Sequence, residues 1–72
     1  MITLRRIPWH HVSVLRDGVY VGRVWWRGDR WECSVGFDLW SVTDRPRKGE
    51  SVDALRDRLE ARAIDEVVRR VG

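Results

Sequence analysis

A single cysteine among 72 residues excludes an internal disulfide, and no spaced set of cysteine and histidine offers zinc in its place. Proline is scarce too, and its two copies, Pro8 and Pro46, fall in segments that read as an edge and a loop. No apolar run approaches the length of a membrane span. The opening residues Met1 to Trp9 are interrupted by Arg5, Arg6 and Pro8, which does not fit a signal peptide either. A soluble cytoplasmic protein with no membrane partner is therefore expected. Neither charge sign dominates strongly: 14 Lys and Arg stand against 11 Asp and Glu, a net charge of +3 with a pI near 10. Tryptophan is what the chain has in plenty. Its five copies can each bury a large area, which matters at a size where one core is only marginally sufficient.

Three of the five, Trp25, Trp26 and Trp31, lie between Tyr20 and Val35, a stretch that reads as a tight hairpin around which the rest is organised. Asp17-Gly18 separates the run His11 to Arg16 from the run Val19 to Arg27. Asp-Gly between alternating runs is the strongest short-range hairpin signal, because type I′ turns need positive φ at both central positions. Gly28-Asp29 precedes the run Arg30 to Val35, with Gly first as a type II′ turn prefers. With two-residue loops, Arg16 faces Val19 and Arg27 faces Arg30. Counting outward pairs Val14 with Val21, Val12 with Arg23, Trp26 with Trp31, Val24 with Cys33 and Gly22 with Val35.

Directly opposite residues share a face. One face then collects Leu15, Tyr20, Val24, Trp26, Trp31, Cys33 and Val35, which is a core. The other collects Val12, Val14, Val21, Trp25, Arg23, Arg30, Glu32 and Ser34. A half-solvated antiparallel sheet alternates cleanly between apolar and polar sides, so this mixed face requires a cover from the chain or from another molecule. Ile2, Leu4, Ile7 and Trp9 can supply that roof if the first nine residues fold over it.

Residues 1–9 read as an arm or a short edge strand, and residues 10–42 as the antiparallel sheet, with Phe37 to Val42 a candidate last strand after a sharp turn at Gly36. Residues 43–50 carry Asp44, Pro46 and Gly49 and form the most basic loop of the chain. Residues 51–71 read as a helix, N-capped by Ser51, with Asp53 in its first turn and Arg69 and Arg70 in its last. Asp65 with Arg69 and Glu66 with Arg70 are i,i+4 pairs. The apolar stripe drifts from Val52, Leu55, Leu59 and Ala63 to Ile64, Val68 and Val71, with Val67 between. Either the helix wraps a twisted sheet, or it breaks near Ala63, or its second half meets a partner. The sequence thus predicts one small α+β domain over residues 1–72, a three- to four-stranded antiparallel β-meander packed against one C-terminal α-helix.

Chemistry-bearing constellations are thin. His10 and His11 point to opposite faces of a strand, and no carboxylate or thiol has a spacing that fixes it beside them, so no metal site is expected. Cys33 reads as a small buried hydrophobe; His11 shares its face but two strands away, outside the contact that nucleophilic catalysis needs. A binding protein with no catalytic residue and no cofactor is expected, and not an enzyme.

Tyr20-Val21-Gly22-Arg23 through Trp31-Glu32-Cys33-Ser34-Val35 resembles the opening of the AP2 family of DNA-binding domains, where a Tyr-x-Gly segment is followed by Trp on the next strand. The plan of three strands and a helix is similar to the arm-binding domains of phage-type tyrosine integrases. The resemblance covers about a third of the chain and implies a sheet laid in the DNA major groove, with Arg23, Trp25 and Arg30 as readers. The placement of charge favours an anionic partner, although a charge run also reads as a plain solvated face. Residues 52–71 are neutral, and the surplus lies in Arg5, Arg6, Arg16, Arg23, Arg27 and Arg30 and in the loop residues Arg45, Arg47 and Lys48. Arg5, Arg6, Arg45, Arg47 and Lys48 are expected to hold the nucleic-acid backbone. The rival expectation is a protein-binding module, such as a small phage-type inhibitor or adaptor or a homodimer, that uses Trp25 with Val12, Val14 and Val21.

Overall fold

A computed structural model describes residues 1–7 and 11–72. Among them five strands, β1 (Ile2–Ile7), β2 (His11–Arg16), β3 (Val19–Trp26), β4 (Trp31–Val35) and β5 (Asp38–Val42), precede one helix, α1 (Val52–Val71). The strands form a single open sheet in chain order, each antiparallel to its neighbours. The class is α+β. The expected three to four strands become five because the opening segment pairs along its whole length with β2, from Ile2 opposite Arg16 to Ile7 opposite His11. It is an edge strand beside the sheet and not a roof across it. Pro8, Trp9 and His10, on which part of the roof and the paired-histidine reading fell, lie outside the described residues.

Turn chemistry sets the hairpins. Asp17 and Gly18 both have positive φ, 51° and 81°, as a type I′ turn demands. Gly28 takes φ 104°, and Arg27 N–H donates to Arg30 O at 2.9 Å, which closes the second two-residue loop. The β3–β4 register runs as the turn dictates, with Val24 opposite Cys33 and Trp26 opposite Trp31.

The β2–β3 register departs from simple counting. Leu15 pairs with Tyr20, but Val14 then pairs with Gly22, Ser13 with Arg23 and Val12 with Val24. Val21 is the extra residue of a bulge, and neither Val14 opposite Val21 nor Val12 opposite Arg23 occurs. A slip of one position moves a whole set of side chains to the other face. Val12 and Val14 drop to the helix side and are fully buried, while Tyr20 turns outward. Burying a valine gains roughly 1.5–3 kcal/mol, and two of them outweigh one unpaired bulge residue.

The helix side of the sheet is dry. Val12, Val14, Val24, Trp31, Cys33 and Val42 meet Leu55, Leu59, Ala63 and Val67 of α1. The helix is unbroken, which removes the reading of a break near Ala63, and Ile64, Val68 and Val71 widen its buried stripe toward the C-terminus. Ser51 Oγ accepts from Ala54 N–H, and Gly72 N–H donates to Val68 O. Asp65 pairs with Arg69, whereas Arg70 reaches instead to Asp38 and lies over the Trp40 ring, and Glu66 takes Arg62 and the Trp40 indole.

Close approach of α1 to the sheet depends on Gly22. A Cβ there would stand 2.8 Å from Val67 Cγ1 and 2.9 Å from Ser34 O. Gly22→Ala is expected to cost about 1–3 kcal/mol through overpacking, read as a lowered urea midpoint at unchanged slope.

Candidate nucleic-acid interface

α1 covers one face of the sheet, and among the described residues nothing covers the other. Cross-strand register orders the open face into rows. Arg5, Ser13, Arg23, Ser34 and Leu39 form one, and Ile7, His11, Trp25, Glu32 and Ser41 the next. Arg23 lies over the Trp25 ring, its Cζ 4.5 Å from the centroid. Glu32 is covered by its neighbours: Arg30 Nε donates to it at 2.8 Å and Ser41 Oγ at 2.9 Å. The Arg30 hydrogen bond holds its carboxyl below the ordinary range against the opposing effect of burial, and Glu32 and Asp29 together raise Arg30. The charge on this face that would repel a phosphate is therefore compensated within the protein.

The basic loop is pinned from below. Arg58 grips Glu50 through Nε and Nη2, both at 2.9 Å, and reaches Asp44 at 3.1 Å and Arg45 O at 3.1 Å. Arg47 N–H also donates to Glu50. These bonds leave the Arg45, Arg47 and Lys48 side chains outward and exposed. Hydrogen bonding from Arg58, then from Arg47 N–H, lowers Glu50 from its ordinary 4.5 to about 2, and Arg58 likewise lowers Asp44. A carboxyl depressed on folding contributes stability above its unfolded value and loses it as pH falls through the folded one. Stability is thus expected to decline between about pH 4.5 and pH 2, and Glu50→Gln should flatten that decline in urea midpoints measured across the window.

Ion pairing divides the charges cleanly. All 11 side-chain carboxylates have a cationic partner. Among the described residues Arg5, Arg16, Arg23, Arg27, Arg45, Arg47 and Lys48 have no carboxylate partner, and Arg16 instead bonds the Val71 carbonyl at the end of α1. Arg5 and Arg23 stand on the open face. Arg27 flanks the β3–β4 turn, and the basic loop leaves the sheet at Val42, opposite Trp31, so both lie at the same end of the sheet.

Of the expected contact residues, Arg5, Arg23, Trp25 and Arg30 share the open face, Arg30 already engaged by Asp29 and Glu32. Arg45, Arg47 and Lys48 gather at its end. Arg6 does not join them; it points to the helix side and pairs with Glu60. Arg27 belongs with the group but was not among the expected contacts. Its position beside the Gly28-Asp29 turn was the available signal. Cys33 and His11, expected on one face, lie on opposite faces: Cys33 faces α1, and burial, with Glu66 and Glu32 nearby, pushes its thiol up to about 12. Among the described residues no group of His, Cys, Asp or Glu is arranged to hold a metal ion, and no helix is long and apolar enough to cross a membrane. No family model matches the chain, and comparison with curated proteins and with solved structures finds no significant similarity.

Proposed function

We propose that the chain is a non-enzymatic nucleic-acid-binding protein that works through the open face of its sheet and the basic loop at its end. The observation that carries this reading is the division of charge. Every side-chain carboxylate has a cationic partner within the protein, and six of the seven described cations without one, all but Arg16, lie on the uncovered face, the adjoining turn and the loop. Lys and Arg that meet phosphate release its condensed counterions, and affinity gained this way falls steeply with salt. Trp25 and Ser34 on the same face offer stacking and hydrogen bonding to bases.

The rival reading, a protein-binding module or homodimer, has lost part of its patch. Val12 and Val14 are core residues, and the exposed apolar side chains are scattered, with Ile7, Tyr20 and Leu39 along the open face, Val19 at the β2–β3 turn and Phe37 at the β4–β5 turn. Mobility shifts with DNA between ~50 and ~200 mM salt, alongside mass by light scattering, separate the two. A monomer retarded in a salt-steep manner is expected. A dimer that ignores DNA at every salt concentration would instead favour the protein-binding reading.

A further inference from the structure

We infer that the nucleic acid this face takes is single-stranded. The inference rests on the nucleic-acid reading above and narrows it. Five strands spaced ~4.8 Å apart set the outer two roughly 19 Å apart. The major groove of B-DNA is only about 12 Å wide and admits a helix or a two-stranded ribbon. Pressed onto duplex, this face would bring β1 and β5 against the phosphate ridges before the central strands reached a base edge, with exposed Leu39 among the first groups to arrive. A sheet of this width suits unstacked bases lying against it, their phosphates met by flanking cations.

The side chains along β3 fit that use. Trp25 and the Arg23 guanidinium above it are both planar groups on which bases stack. Beyond Arg23 lies a hollow of about 320 Å³ lined by Tyr20, Val21, Gly22, Arg23, Ser34 and Gly36. It falls at the small end of ligand pockets, room for one base. It opens because the β3–β4 ladder ends at Arg23 and Ser34, so that β3 runs from Val19 to Gly22 without ladder pairing on that edge. Ser34 and that unladdered backbone can hydrogen-bond a base edge, and Tyr20, 55% exposed, supplies a ring at the rim. Arg23, Trp25 and Arg27 follow at alternate positions, ~6.8 Å apart along the strand, and lead from the hollow to the basic loop.

The test titrates the chain with a ~15-nucleotide oligothymidylate, an oligouridylate of the same length and a ~15-base-pair duplex, following anisotropy of the labelled strand and tryptophan fluorescence. Either single strand is expected to bind at least ~10-fold more tightly than the duplex. Trp26, Trp31 and Trp40 lie on the helix side, so Trp25→Phe should reduce the accompanying quench. Trp25→Ala should weaken single-strand binding on the order of tenfold, and Tyr20→Ala, at an exposed position, provides a second variant that leaves the core alone. Duplex bound as tightly as single strand would overturn the inference and leave the broader reading standing. A single-strand preference that survives both alanine variants would overturn the assignment of bases to this face. Failure to bind any of the three, with or without self-association, would overturn both.

Discussion

Trp31→Ala is expected to remove roughly half of the chain's stability and to lower its urea midpoint accordingly. Trp31 is fully buried. Its ring stands 5.6 Å from that of Trp26, and its indole N–H donates to Arg56 O at 2.9 Å, tying β4 to the first turns of α1. Truncating a buried tryptophan costs about 3–5 kcal/mol, a transfer loss with a cavity added to it. At ~0.05–0.15 kcal/mol per residue, a chain of this length has only roughly 4–11 kcal/mol of stability in total. Trp31→Phe keeps a ring in the core and should cost only about 1–2 kcal/mol, through lost volume and the lost indole hydrogen bond. Circular dichroism at rest and urea titration of both variants measure this. A folded alanine variant with a near-native midpoint would mean that the core is organised around something else.

Replacing Arg27, Arg45, Arg47 and Lys48 together by glutamine is expected to lower single-strand affinity on the order of a hundredfold at ~100 mM salt, with a salt slope shallower by about 3. None of the four has a carboxylate to strand, so the fold should tolerate the change; surface substitutions of this kind usually stay within about 0.5 kcal/mol each. Arg69→Gln is the comparison. It too removes a positive charge, but from the helix side, where Asp65 already compensates it, and binding should change little. Equal losses per charge removed in the two variants would mean that net charge acts without regard to position.

The contrast between these two experiments follows from what could be read in the chain and what could not. Asp17-Gly18 and Gly28-Asp29 declared their turns through the φ values they must adopt, and Ser51 declared the start of the helix through its side-chain oxygen. The β3–β4 register followed from its turn alone. The bulge at Val21 did not follow, because Val19 to Trp26 alternates plausibly in either phase. Its one local mark was Gly22 inside a strand, which often signals a bulge or a close backbone approach and here accompanies both. The consequence is large: Val12 and Val14 change faces, and a surface expected to mix valines with Arg23, Trp25 and Ser34 loses these two valines to the core.

Charge partition was legible only in outline. The neutrality of residues 52–71 and the surplus elsewhere can be counted, but the pairing of each carboxylate depends on elements far apart in sequence. Arg6 meets Glu60 and Arg70 meets Asp38 across the sheet–helix interface, and Arg58 of the helix, by pinning Asp44 and Glu50 of the loop, leaves Arg45, Arg47 and Lys48 unmatched. Glu66 and Arg70 both touch Trp40 but pair with Arg62 and Asp38, so even an i,i+4 spacing favourable in isolation yields to partners supplied by the fold.

The most direct measurement is the proton–nitrogen correlation spectrum of the chain as a single-stranded oligonucleotide is added. The indole signal of Trp25, with the amides of Ser13, Arg23, Ser34, Arg45, Arg47 and Lys48, should move with the titration. The indole signals of Trp31 and Trp40, hydrogen-bonded to Arg56 O and Glu66 beneath the helix, should stay in place. Shifts confined to α1 or to the helix side of the sheet, with Trp25 unmoved at saturation, would contradict a nucleic-acid surface on the open face.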